Sequence, residues 1–196
     1  MGLDMYAYKR TYVGNYWEKP ENQLKLKKPK ATGLKAAINL IDDAKISSVT
    51  EQIAYWRKAN AIHNWFVQNV QDGVDDCKEY TFGVEEIEQL VTLCKDVLKT
   101  AKTKEGKVVN GQTFKDGKWE DIMADGVVVT NPEEVAELLP PTEGFFFGST
   151  DIDGYFLDDI KSTIEQLEPY LAKEKDREGN DAYVYRFTDF SYQSSW

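Results

Sequence analysis

Apolar residues recur at helical spacing in four stretches of this chain, one of them short, and alternate with polar ones near both ends. Residues 3 to 13 alternate, with Leu3, Met5 and Ala7 on one face and Asp4, Tyr6 and Tyr8 on the other, which predicts a strand with bulk on both sides. A lysine-rich stretch from 25 to 35, broken by Pro29 and Gly33, reads as an exposed connection, and Leu34, Ala37, Ile38 and Ile41 suit a short helix after it. Tyr55, Ala59, Ile62, Phe66 and Val70 then make a stripe at helical spacing. With Ser48 or Thr50 as cap and Glu51 in the first turn, this predicts a helix that runs to about Gln71 and stops before Gly73.

Residues 77 to 82 read as a short strand, and residues 84 to 99 as a helix whose Ile87, Leu90, Val91, Cys94, Val97 and Leu98 face the core. From 102 to 129 the signals change to turns. Asn110-Gly111 and Asp116-Gly117 are hairpin turns and Asp125-Gly126 is a third break, so the stretch predicts a small β-meander. Asn131 and Pro132 start a short helix that ends before Pro140. Phe145, Phe146 and Phe147 suit a buried strand or strand end. Asp151-Ile152-Asp153-Gly154 then leads into a helix through Phe156, Leu157, Ile160, Ile164, Leu167 and Leu171, and residues 182 to 187 read as the last strand. The sum is a single α+β domain over residues 1–196: an antiparallel sheet containing the N- and C-terminal strands, about three longer helices packed on it, and a β-meander insertion at 102–129.

A chain of 196 residues supports one substantial core, burying roughly 70% of the unfolded surface. Hydrophobic content of 41%, with 13% aromatics, places it among ordered globular chains. The net charge of -10 disfavours phosphate backbones and anionic membranes as partners, since either needs a basic patch; a solvated acidic surface is the plain reading, and a nucleic-acid mimic the sharper one. Cys77 and Cys94 make neither a disulfide framework nor a CxxC site. Asp4 stands where a signal peptide needs positive charge, no apolar run approaches a membrane span, and Tyr6 departs from the myristoylation pattern. A cytoplasmic protein is expected.

The predicted helix through Tyr55 and Phe66 holds the only histidine and two of the five tryptophans. Propensity alone does not select such residues for a helix, so packing or contact must. On this reading Trp56, Asn60, His63 and Val67 line one edge, and Arg57, Asn60, Asn64 and Gln68 the polar side.

Met1-Gly2-Leu3-Asp4-Met5-Tyr6, the run from Tyr55 to Val67, Gln71-Asp72-Gly73-Val74-Asp75-Asp76-Cys77, Gly144-Phe145-Phe146-Phe147-Gly148-Ser149 and the closing Ser194-Ser195-Trp196 resemble the recurring blocks of a set of small proteins from bacteriophages and their hosts. The resemblance spans both ends of the chain and leaves residues 102 to 129 outside. It implies phage or prophage origin and a role inside the host cell. It implies no reaction, because no activity is established for that set.

The candidate site follows from the polar groups of these blocks. Trp56, Arg57, Asn60, His63 and Asn64 with Ser149, Asp151 and Asp153 form a polar, aromatic-walled ligand site if the fold brings them together. Otherwise His63 and the tryptophans pack in the core and the aspartates cap turns. Arg57 beside Trp56 offers a fork for phosphate or carboxylate with a stacking surface nearby. An EF-hand over residues 149 to 160 fails, with Ser149 at its first position and Ile160 at its last. Mg²⁺ or Mn²⁺ on His63, Asp75 or Asp76 and Asp151 or Asp153 is a weaker option, zinc on His63 and Cys77 weaker still, and a Cys77–His63 nucleophile has no motif behind it. No metal, cofactor or catalytic residue is assigned. The expected function is a non-catalytic binding protein for a small nucleotide-like ligand or a host protein, with a metal-assisted hydrolase or an acidic nucleic-acid mimic as alternatives.

Overall fold

The alternation at the N-terminus becomes strand β1 (Asp4–Tyr12), with Leu3, Met5 and Ala7 inward. The computed structural model describes residues 2–14, 19–21, 23–27, 40–144 and 146–196. The short helix expected around 34 to 41 falls largely outside them. On the other face of β1, Tyr6 stacks on Tyr8 with ring centres 6.2 Å apart and meets Tyr55 at 5.4 Å.

The helix expected from Ser48 to Gln71 is in fact two elements. Strand β2 (Ser48–Arg57) pairs antiparallel with β1, with Asp4 opposite Arg57 and Tyr6 opposite Tyr55, and helix α1 (Asn60–Asn69) follows. The reason is legible after the fact: residues 54 to 57 alternate, Ala54 and Trp56 inward, Tyr55 and Arg57 outward, and only from Ala59 does the period become helical. Lys58 joins the two in the left-handed region, φ 61°, and its N–H donates to the Leu3 carbonyl.

After α1 come β3 (Tyr80–Phe82), shorter than expected, and α2 (Val84–Thr100). Glu86 accepts a hydrogen bond from the Gly83 N–H at the start of α2, and Ile87, Leu90, Val91, Cys94 and Val97 are buried along it. Burial pushes the Cys94 thiol up to about 12, so it stays an un-ionised core group.

In place of a meander, residues 102 to 129 form one long hairpin, β4 (Thr103–Lys115) and β5 (Lys118–Val129), turned at Asp116-Gly117. Asn110-Gly111 is a bulge between Val109 and Gln112, and Gly126 lies inside β5 opposite Gly106. The same dipeptide chemistry serves turn and bulge, because both need a residue at positive φ, here Gly111 at 147°.

Helix α3 (Pro132–Leu138) begins after Asn131, as expected, yet the asparagine side chain serves the preceding chain more than the helix: it accepts from the Lys102 N–H and donates to the Thr100 carbonyl. Phe146 and Phe147 lie in a turn rather than a strand, with Phe147 buried. Helix α4 (Gly154–Leu167) is capped by Asp153, whose carboxylate accepts from the Tyr155 and Phe156 N–H groups. The last strand also lies later than expected. Residues 181 to 183 form only β7 (Asp181–Tyr183), paired with β6 (Lys173–Lys175), whereas β8 (Asp189–Ser195) is the C-terminal strand. Serines and a glutamine between Phe190 and Tyr192 and beyond disguise its apolar face in the sequence.

The main sheet runs β2-β1-β8-β3, antiparallel throughout, so the two terminal strands are neighbours at its centre. One α+β domain results. Helices α1, α2 and α4 bury the inner face, where Phe66 stacks on Tyr192 at 3.9 Å between ring centres and Trp56 donates its indole N–H to Thr163 of α4 at 2.9 Å. Among the described residues no helix is long and apolar enough to cross a membrane.

Candidate functional site

Where β2 passes into α1, the chain is held by one buried side chain. Asn60 is 4% exposed; its amide donates to the carbonyls of Phe147 (3.1 Å) and Ser149 (2.7 Å), and its oxygen accepts from the Thr142 N–H (3.3 Å). The segment from 142 to 149 is thereby fastened to α1, and Phe146 accepts the Leu3 N–H from the start of β1. Gly148 sits at φ 87°, and a Cβ there would come within 3.1 Å of the Lys58 side chain, so both backbone conformation and close packing require glycine.

This fastening shapes a cleft of about 490 Å³ lined by the β2–α1 connection (residues 57 to 62), the bulge of β4 (109 to 111), residues 148 to 153 and the first turns of α4. The hairpin reaches it through Tyr155, whose hydroxyl donates to Asn110 at 2.8 Å. Ser149 donates to the Asp151 carboxylate at 2.7 Å and accepts from the Asp151 N–H. Ala59, Ile62, Phe156 and Ile160 supply apolar surface. A volume of this size falls in the usual range for small-molecule sites.

The charges are unequal in number and in pairing. Arg57 and Lys58 bring two cations; Asp151, Asp153, Asp158 and Asp159 bring four carboxylates. Arg57 lies 3.7 Å from Asp4, a loose pair, and Asp158 pairs with Lys161 at 2.9 Å. Among the described residues nothing donates to the Asp159 carboxyl. Burial, with the neighbouring Asp158 and Asp153 charges adding, pushes it up to about 7. Its backbone carbonyl accepts from the Thr163 hydroxyl at 2.7 Å, and Thr163 in turn accepts from Trp56, which ties the position of Asp159 to the sheet.

Five of the eight residues expected to form a site, Arg57, Asn60, Ser149, Asp151 and Asp153, line this one cleft. Asn60 uses its whole side chain to build it. Trp56 lies in the core at 3% exposure: on a strand, adjacent residues point to opposite faces, so it cannot stack beside the Arg57 guanidinium.

His63 and Asn64 border a second depression of about 310 Å³ with Asp75, Phe147 and Trp196. His63 is 1% exposed; its Nε2 lies 3.0 Å from Asp75 and its Nδ1 2.7 Å from the Tyr192 hydroxyl. The carboxylate only accepts, so Nε2 donates to it, and in the neutral ring Nδ1 accepts the hydroxyl proton. Burial raises Tyr192 well above the usual tyrosine range, so its hydroxyl remains a donor. The Trp196 indole N–H completes the chain on Asp75 at 3.1 Å, and Asn64 donates to the Pro140 carbonyl. Both ring nitrogens are thus committed, leaving none to activate Cys77 or to ligate zinc with it. The oxygen-rich metal set is divided between the two depressions, and among the described residues no three histidines, cysteines or carboxylates are grouped to hold a metal ion.

Sequence reasoning missed Tyr155, Asp158, Asp159 and the Asn110-Gly111 bulge as parts of the cleft. For Asp159 a signal existed: it lies three residues after Phe156 and four before Thr163, on the buried side of α4. The bulge had none, because its place beside α4 is a long-range fact. Comparison with protein-family models, curated proteins and solved structures gives no match, so the reading of the site rests on its geometry.

Proposed function

We propose that the protein is a non-catalytic binding protein that holds a small polar molecule in the cleft between the β2–α1 connection, the 148 to 153 segment and α4. The observation that carries this is a partly buried Asp159 carboxyl that has no partner among the described residues, in the same cavity as the exposed Arg57 and Lys58. A desolvated, unpaired ionisable group costs stability, and such groups concentrate at sites that use them. The binding reading is favoured over catalysis because the one histidine is locked between Asp75 and Tyr192. A polyphosphate would meet four carboxylates, so the nucleotide-like ligand is the less fitting small molecule.

The test is native mass spectrometry of the protein drawn gently from its host cells, followed by denaturation and identification of what is released. A retained small molecule, lost in a variant with Ser149→Trp at an exposed position of the cleft wall, is the expected result; an unliganded protein whose cleft amides are also unmoved by a metabolite library overturns the reading. A protein partner is the second reading. It is favoured by Phe114 and Trp119, an edge-to-face pair at the far end of the hairpin that is 61% and 67% exposed.

A further inference from the structure

We infer that the ligand of the cleft is an amino-acid-like molecule, with an ammonium or guanidinium group seated on Asp159 and an anionic group reaching Arg57 and Lys58. The inference rests on the binding reading and narrows its ligand class. Each carboxylate of the cleft has a different commitment. Asp151 is engaged by Ser149, Asp153 caps α4, and Asp158 is paired with Lys161, which leaves Asp159 as the one with its hydrogen-bonding capacity unspent among the described residues. It lies in a cavity, flanked on its helix by Phe156 and Ile160, and these apolar neighbours exclude water from a charge pair formed there. At the β2–α1 connection, among the described residues, Lys58 makes no ion pair and Arg57 only the loose one with Asp4, so both cations are open to an anion there.

Asp159 titrates near neutrality, so a cation seated on it displaces its proton. Burial sets this first, then the charges of Asp158 on α4 and of Asp153 at its cap; Asp151, Arg57 and Lys58 line the same cleft, and Lys161 pairs with Asp158. If only the ionised form binds a cation, affinity falls about tenfold between pH 8 and pH 6.

The experiment is a ¹⁵N-HSQC titration of the full chain with three groups of probes: basic and neutral amino acids, diamines such as putrescine and agmatine, and isosteres without a cation such as N-acetylglycine and butanediol. Amino acids should shift the amides of residues 57 to 62 and 155 to 160, more strongly than the diamines, which lack the anion, and than the isosteres, in which one or both charges are lost. Asp159→Asn, which keeps the shape, should weaken the best probe at least tenfold and remove the pH dependence while leaving the rest of the spectrum in place. Shifts at these amides only from compounds that carry no cation overturn the ligand class and leave the binding reading standing. No shift from any probe overturns the inference, and the released-ligand experiment then decides the binding reading by itself.

Discussion

The side-chain amide of Asn60 donates to the backbone carbonyl of Ser149 at 2.7 Å, 89 residues further along the chain. With its bonds to Phe147 and Thr142, this makes one buried asparagine the link between the sheet's exit into α1 and the segment that walls the cleft. Asn60→Ala should cost about 2–4 kcal/mol, because it strands two carbonyls and one N–H that are no longer hydrated. Urea denaturation measures the loss, and hydrogen exchange of residues 142 to 149 should accelerate more than that of α2; equal acceleration would argue against a local fastening.

His63→Phe keeps a ring against Phe147 but leaves the Tyr192 hydroxyl and the inner oxygen of Asp75 without their partner. The expected cost is about 2–3 kcal/mol. Trp196→Phe removes one hydrogen bond from a residue that is 48% exposed, and should cost under about 1 kcal/mol. Comparable losses in the two variants would mean that the terminal tryptophan, rather than the histidine, organises the network.

Asp159 is the group through which pH should act on stability. Its folded pKa of about 7 lies above the ordinary aspartate value of 3.8, so its contribution is fully present below the unfolded pKa and is lost as pH rises through 7. Asp159→Asn removes the penalty of ionisation. The variant and the parent should therefore have similar stability near pH 4, whereas above pH 7 the variant should be more stable by about 2 kcal/mol, a figure reduced for solvent screening. Thermal melts across that range check it, and a constant difference between the two proteins would refute the shifted titration.

Trp56→Phe should loosen α4 on the sheet by about 1–2 kcal/mol, since Thr163 loses its indole donor while still bonding the Asp159 carbonyl. Chemical denaturation reads the loss. The sharper readout is Asp159 itself, whose carboxyl ¹³C titration midpoint should move if the relay from Trp56 through Thr163 holds its place.

Phe114→Ser together with Trp119→Ser should change folding stability by no more than about 0.5 kcal/mol per site, because both rings lie far from the core in exposed positions. Retained stability with loss of a co-purifying protein would support the partner reading, whereas a large loss of stability would show the hairpin end to be part of the folding unit.

Local pattern carried the description wherever one period ruled and one face was buried. Residues 84 to 99 and 154 to 167 have strong helical stripes with identifiable starts, and the first strand alternates cleanly. It failed where two periods fit the same letters. Between Tyr55 and Phe66 the helical stripe of Tyr55, Ala59 and Ile62 coincided with a strand ending at Arg57, and only sheet pairing with β1 decided between them. The three Gly-containing dipeptides of the hairpin were likewise ambiguous, since turn, bulge and strand interior all accept them.

By itself, then, the sequence determined an α+β class, an apolar inner face for the first strand and the amphipathic helices, the start of α4 after the 151 to 154 loop, and the loading of polar groups into a few blocks. These follow from periodicity and neighbouring backbone groups, which act over a few residues. Tertiary structure alone decided that Arg57, Asn60, Ser149, Asp151 and Asp153 meet while His63 turns to Asp75 and Tyr192, and that Asp159 is left desolvated among them. Burial and charge environment depend on which distant elements pack together, and no spacing along a single chain encodes that distance.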